Sequence, residues 1–145
     1  MISSDQNFGR GEKSCSVTGA AQPLLLRPAH EPLLPDELCF VIGFPIDFQN
    51  YDAEPTLIVS PLTFVGTMPM NANGQGFWCD NQDDLSRPVY HFEGVALNGH
   101  SGSPVVDTLG RVVGVWVASH NYKNKSFVQP LADFLSAALA VAGAN

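Results

Sequence analysis

The chain has 145 residues, of which 45% are hydrophobic and 14% charged, enough apolar material for one core in a single domain. Seven Lys and Arg against 14 Asp and Glu leave a net charge of −7 and a pI near 4.7, which argues against a phosphate-tracking surface and hence against nucleic acid as a partner. No apolar run is long enough to span a membrane, no signal peptide opens the chain, and 13 Gly with 11 Pro indicate short elements joined by turns, an all-β composition.

Residues 1–22 are rich in Ser, Gly, Asp and Asn without a period of 2 or 3.6. Positions 1–37 are therefore expected to form a poorly ordered or extended segment ahead of a domain at 38–145. Four prolines between Pro23 and Pro35 exclude a helix interior and a central strand, so this stretch reads as a wrap that lays its leucines on the domain surface. Leu38 to Ile42 is a buried strand turned by Gly43-Phe44-Pro45. Thr56 to Pro61 and Leu62 to Thr67 are β-rich runs with a break or bulge at Pro61. Met68 to Pro88, rich in Asn, Gly, Gln and Asp, is a long excursion carrying Trp78 and Cys79. Val89 to Val95 is a strand feeding the loop that begins at Asn98.

Val105-Val106 and Val112 to Ala118 are strands of a hairpin, because Asp107-Thr108-Leu109-Gly110 between them accepts turn dihedrals while Val prefers the pleat. Asn121 to Lys125 is a polar turn and Ser126 to Val128 a last short strand. Pro130 opens a helix from Leu131 to Val141, with Leu131, Phe134, Leu135 and Leu139 at helical spacing and Gly143 ending it. Cys15, Cys39 and Cys79 allow at most one disulfide. With no CxxC and no His at ligand spacing, no metal site and no cofactor are expected.

The chemistry concentrates in Gly99-His100-Ser101-Gly102. Glycines on both sides of a serine let the backbone fold tightly and leave N–H groups free to point at one spot, which is what an oxyanion hole needs. The nucleophile elbow of an α/β-hydrolase is excluded, since it requires glycine at position 103 and a helix after it, where this chain has Ser103, Pro104 and a strand.

Gly99, Ser101, Gly102, Ser103, Pro104, Val105, Gly110, Val112, Val113, Gly114 and Val115 follow in order the nucleophile loop and succeeding strand of the trypsin-like serine peptidases (chymotrypsin fold, PA clan), and the chain resembles that family. Cys39 to Pro45 is similar to the strand that opens the second barrel in bacterial-type members, and Phe127 to Ala142 to the closing strand and helix; residues 1–38 have no counterpart.

The resemblance implies an all-β fold, a single six-stranded antiparallel β-barrel with a C-terminal α-helix, the second half of a double barrel. It implies Ser101 as the nucleophile attacking a peptide carbonyl, and the N–H groups of Gly99 and Ser101 as the oxyanion hole. Val95, Leu97 and Asn98 on one side, and Trp116, Val117, Ala118 and Ser119 on the other, would flank the residue ahead of the cut, an uncharged one. The substrate would be a protein or peptide.

The family's His and Asp lie in a first barrel, and 42 residues before Gly43 leave no room for one. His30 sits among prolines, Asp5 is not followed by an apolar strand, and His91, His100 and His120 occupy positions the family does not use for the base. The chain is thus expected to be the nucleophile-bearing half of a serine endopeptidase, inactive without an N-terminal barrel. The alternative is a non-catalytic, protease-like binding module. On the first reading an apolar face beside Ser101, holding parts of Leu38 to Pro45 and of the Pro23 to Pro35 wrap, awaits the missing barrel or is covered by residues 1–38.

Overall fold

The computed structural model describes residues 22–46, 54–69, 86–120 and 124–143. They form β1 (Leu38–Gly43), β2 (Ile58–Pro69), β3 (Pro88–Glu93), β4 (Pro104–Asp107), β5 (Val112–His120), β6 (Lys125–Pro130) and one helix, α1 (Leu131–Gly143). Every ladder is antiparallel, and the strands close in the order β1-β2-β3-β6-β5-β4. Closure leaves no unpaired edge, as expected for an all-β barrel with a terminal helix.

Alternation builds the interior. Along β1 Cys39 and Val41 point inward and are fully buried, while Leu38 is exposed and Phe40 and Ile42 are half-buried. They join Leu62, Phe64, Phe92, Ala96, Val105, Val113, Trp116 and Val128 in one buried cluster. Phe64 meets Tyr90 and Phe92 edge-on, with ring centroids 5.5 and 5.4 Å apart, the arrangement aromatic quadrupoles favour. The Cys39 thiol has its pKa pushed up to about 12 by burial, which makes it a packing group rather than a reactive one.

The strands differ from the sequence expectation where long-range pairing extends or moves them. β2 runs unbroken through Pro61: β3 pairs with it only from Thr63 onward, so on that side no ladder bond is asked of the missing N–H. The irregularity comes instead between Phe64 and Gly66. β6 is longer than expected because both of its neighbours hold it, Tyr90 opposite Val128 on one side and Gly114 opposite Pro130 on the other. Of the expected excursion, Met68, Pro69 and Pro88 belong to strands, while Trp78 and Cys79 lie outside the described residues, as does Cys15.

The wrap is extended, and Leu33 packs half-buried against the core cluster, but the leucines at its start do not dock. Leu24, Leu25 and Leu26 are 55, 72 and 45% exposed. The attachment is polar: Arg27 N–H donates to the Val112 carbonyl at 3.0 Å and Val112 N–H to the Leu25 carbonyl at 2.8 Å. The Arg27 guanidinium then donates to the carbonyls of Glu31 and Pro32, to both oxygens of Glu37 and, at 3.4 Å, to Asp107. Asp107 also accepts from the N–H groups of Leu109 and Arg111 and from the Arg111 side chain, fixing the β4–β5 turn.

Candidate active site

The segment from Gly94 to Ser103 carries the chain from β3 to β4 across one end of the barrel. Its turn is tied by short bonds: His100 N–H to the Leu97 carbonyl at 3.2 Å and Ser103 N–H to the His100 carbonyl at 2.8 Å. Strand β5 grips the far side, Gly102 N–H donating to the Trp116 carbonyl at 3.0 Å and Trp116 N–H to the Ser103 carbonyl at 2.9 Å. The chain just after β1 holds the near side, where Ile46 N–H donates to the Asn98 carbonyl at 2.8 Å.

Glycine is required at 99 for two reasons. Its φ of 100° is one that residues with a Cβ avoid, and a Cβ there would stand 2.8 Å from the Ile46 nitrogen and 3.2 Å from the Pro45 Cα. Gly102 shares the handedness, with φ 86°. Between them Ser101 is exposed. Among the described residues its hydroxyl has no hydrogen-bond partner, and neither do the N–H groups of Gly99 and Ser101.

His100 anchors the turn from beneath. It is fully buried, with Nδ1 at 3.1 Å from both the nitrogen and the carbonyl oxygen of Leu97, while Nε2 has no partner. Its Cδ2 lies 2.8 Å from where a Cβ on Gly43 would stand, so a side chain at 43 would displace the ring. Trp116, 4% exposed, meets it edge-on at 6.4 Å.

The fold has counterparts among solved structures. No family model matches the sequence, and no curated protein matches it. Solved structures do match: the inactive form of the Rv3671c protease is 21% identical over 81% of this chain and 53% of its own, with a TM-score of 0.59. The active form of the same protease, from M. tuberculosis, gives 20% identity over 81% of this chain and 47% of its own, TM-score 0.59. Deg5 gives 18% identity over 79% of this chain and 45% of its own, TM-score 0.51. The fold is that of a trypsin-like protease barrel. The chain spans about half the length of these structures.

In this trypsin-like barrel the expected flanking residues fall on two segments either side of the serine turn. Val95 and Leu97 are half-buried and Asn98 is exposed; Trp116 is buried, and Val117, Ala118 and Ser119 are half-buried along β5. None of these side chains is charged. A bulge between Trp116 and Ala118 changes the direction of β5 at this point.

The histidines are spent elsewhere or stand apart. His91 is buried on β3, its Nε2 at 3.2 Å from the Pro69 carbonyl and its ring edge-on to Phe127; burial lowers its pKa. His30 is 82% exposed in the wrap, and His120 ends β5. Sequence reasoning missed the contact of Ile46 with Gly99 and that of His100 with Trp116, which join segments far apart in the chain.

Two cavities bordered by described residues lie elsewhere on the barrel. One of about 160 Å³ lies between the wrap and α1, bordered by Pro32, Leu33, Tyr90, Val113 and Leu135. A more open one of about 470 Å³ is bordered by Thr67, Arg87, Tyr90, Pro130 and Asp133.

Proposed function

We propose that the chain is the nucleophile-bearing half of a trypsin-like serine endopeptidase. Ser101 attacks the peptide carbonyl, and the N–H groups of Gly99 and Ser101 receive the developing oxyanion. A partner barrel supplies the His that takes the hydroxyl proton and the Asp that orients it. The observation that carries this reading is the exposed Ser101 beside two N–H groups without partners, in a turn held from both sides. Gly99 and Ser101 are both exposed, so their N–H groups, with no protein partner, can be reached by an acceptor that arrives with a ligand.

The place of the partner barrel is suggested by the apolar surface next to the turn. Phe44 and Ile46, 50 and 60% exposed, continue from β1 against Gly99, and Leu57 and Val59, 54 and 52% exposed, lie at the adjoining end of β2. Large apolar side chains grouped on a surface mark interfaces. The wrap takes no part in this face: it docks at Val112 and Asp107, at the other end of the β4–β5 hairpin from Ser101.

The test compares the isolated chain with one extended by its native upstream sequence. The isolated chain is expected to hydrolyse peptides negligibly, and the extended chain to hydrolyse them in a manner abolished by Ser101→Ala. An extended chain that folds, contains no strand-borne His and Asp and cleaves nothing would establish the binding-module alternative instead.

A further inference from the structure

Asn98 and Gly99 stand side by side where the chain enters the serine turn, and both are exposed. The fold treats their groups differently. The Gly99 N–H has no hydrogen-bond partner among the described residues, and neither has the Asn98 side-chain amide. The carbonyl that joins the two residues is held, Ile46 N–H donating to the Asn98 oxygen at 2.8 Å. A hydrogen bond to the oxygen of a peptide unit draws electron density from its nitrogen and makes that N–H more acidic. Residue 99 must also be glycine, given its φ of 100° and the 2.8 Å that would separate a Cβ from the Ile46 nitrogen. A free, acidified nitrogen with no Cβ beside it therefore follows directly on an unbonded carboxamide.

We propose that Asn98 is a site of self-modification: in the folded chain the Gly99 nitrogen attacks the Asn98 side-chain carbonyl carbon, and the residue deamidates. Solvent base takes the Gly99 proton and the nitrogen bonds to Cγ of Asn98. Nδ2 takes a proton from water and leaves as ammonia, which closes a succinimide ring. Water then adds to either imide carbonyl and breaks its bond to the nitrogen. Opening at Cγ gives aspartate, and opening at the main-chain carbonyl gives isoaspartate, whose backbone contains an extra methylene. In the imide the Gly99 nitrogen carries no hydrogen, and in isoaspartate the methylene displaces it. Both forms alter a donor next to Ser101.

The experiment ages the wild-type chain at mildly alkaline pH, folded and in urea, and follows it by peptide mapping with mass spectrometry. Fragmentation separates Asn98 from Asn73, which also precedes a glycine. Asn98 is expected to convert in the folded chain no more than about tenfold more slowly than in urea, a difference of about 1.4 kcal/mol in barrier. Asn124 is also exposed, but Lys125 after it has a side chain that crowds the attack, so Asn124 is expected to stay intact. In ¹⁵N spectra of the aged chain new peaks are expected for Gly99, His100 and Ser101, while Val41 and Phe92 keep theirs. An Asn98 that survives in the folded chain while it converts in urea would overturn the proposal, because the turn would then hold the carboxamide away from the nitrogen. So would conversion of Asn98 and Asn124 at one rate, which would trace the loss to exposure alone. Ring closure needs neither the Ser101 hydroxyl nor a partner barrel, so Ser101→Ala is expected to deamidate as the wild type does. A variant that did not would give the attack to the hydroxyl rather than to the Gly99 nitrogen and end the proposal.

Discussion

Gly99 and Gly102 share a left-handed backbone but not surroundings. A Cβ at 99 would press on the backbone of Pro45 and Ile46, whereas one at 102 would meet nothing within 4 Å. Gly102→Ala is therefore expected to cost the conformational strain alone, about 1 kcal/mol. Gly99→Ala adds a clash with backbone that cannot swing aside and is expected to cost about 3 kcal/mol and to shift the Ser101 amide. Urea unfolding of the two variants side by side measures the difference, and equal costs would mean that the Ile46 contact is not rigid.

His91 supplies a second test at this scale. Burial disfavours its charged form and lowers its folded pKa below the usual 6.5, despite the opposing bond to the Pro69 carbonyl. The unfolded chain then binds the proton first as pH falls, so the stability His91 contributes is present above pH 6.5 and is lost on descending through the folded pKa. His91→Phe is expected to flatten that part of the stability profile, read from the urea midpoint at a series of pH values. A slope of the same size in the variant would place its origin in other groups.

Among the elements, the wrap and β5 are held by different forces. Arg27 ties the wrap to itself and to the barrel, its side chain 12% exposed beside Glu37 and a nearly buried Asp107. The Arg27 hydrogen bond holds the Glu37 carboxyl below its usual range. For Asp107, burial pushes the carboxyl up, but the Arg111 backbone and side-chain hydrogen bonds outweigh it and leave the pKa lowered. Arg27→Leu removes the wrap's hub yet leaves Asp107 its Arg111 partner, so the expected loss is about 2 kcal/mol rather than the larger penalty of stranding a buried charge. Protease nicking between Pro23 and Pro35, faster in the variant, would localise the effect to the wrap.

Strand β5 instead depends on close approach: a Cβ on Gly114 would lie 2.4 Å from the Gln129 carbonyl oxygen in the β5–β6 ladder. Gly114→Ala is expected to cost about 3 kcal/mol or more, because only a movement of the sheet backbone relieves the overlap. A loss under 1 kcal/mol, the size of an ordinary surface change, would show the ladder to be more compliant than its spacing implies.

For the molecule as a whole, closure of the barrel encloses one core, while Phe44, Ile46, Leu57 and Val59 are exposed. No helix among the described residues is long and apolar enough to cross a membrane. If the acid-base half is absent, the isolated chain retains only binding and the oxyanion donors; loss of the histidine in a serine triad lowers turnover by roughly a million-fold. Peptide hydrolysis by the isolated chain is therefore expected to be negligible, with wild type and Ser101→Ala indistinguishable. A robust rate that vanishes in Ser101→Ala would mean that His91, His100 or His120 serves as base.

What the chain announces by itself is local. The hairpin of β4 and β5 is legible because Val alternation and the Asp107 to Gly110 turn lie within one short stretch, and the serine turn because two glycines bracket one hydroxyl. The helix is legible from its composition and spacing, and the barrel from the resemblance those motifs carry. Tertiary structure alone decided that Gly99 faces Ile46, that β2 carries Pro61 without a break, that Arg27 ties the wrap to Glu37 and Asp107, and that the Trp116 ring meets that of His100. Each of these joins residues distant in sequence, and periodicity records only which side of its own strand a residue faces. Which residue it meets across the barrel follows from register and closure, set by all six strands at once.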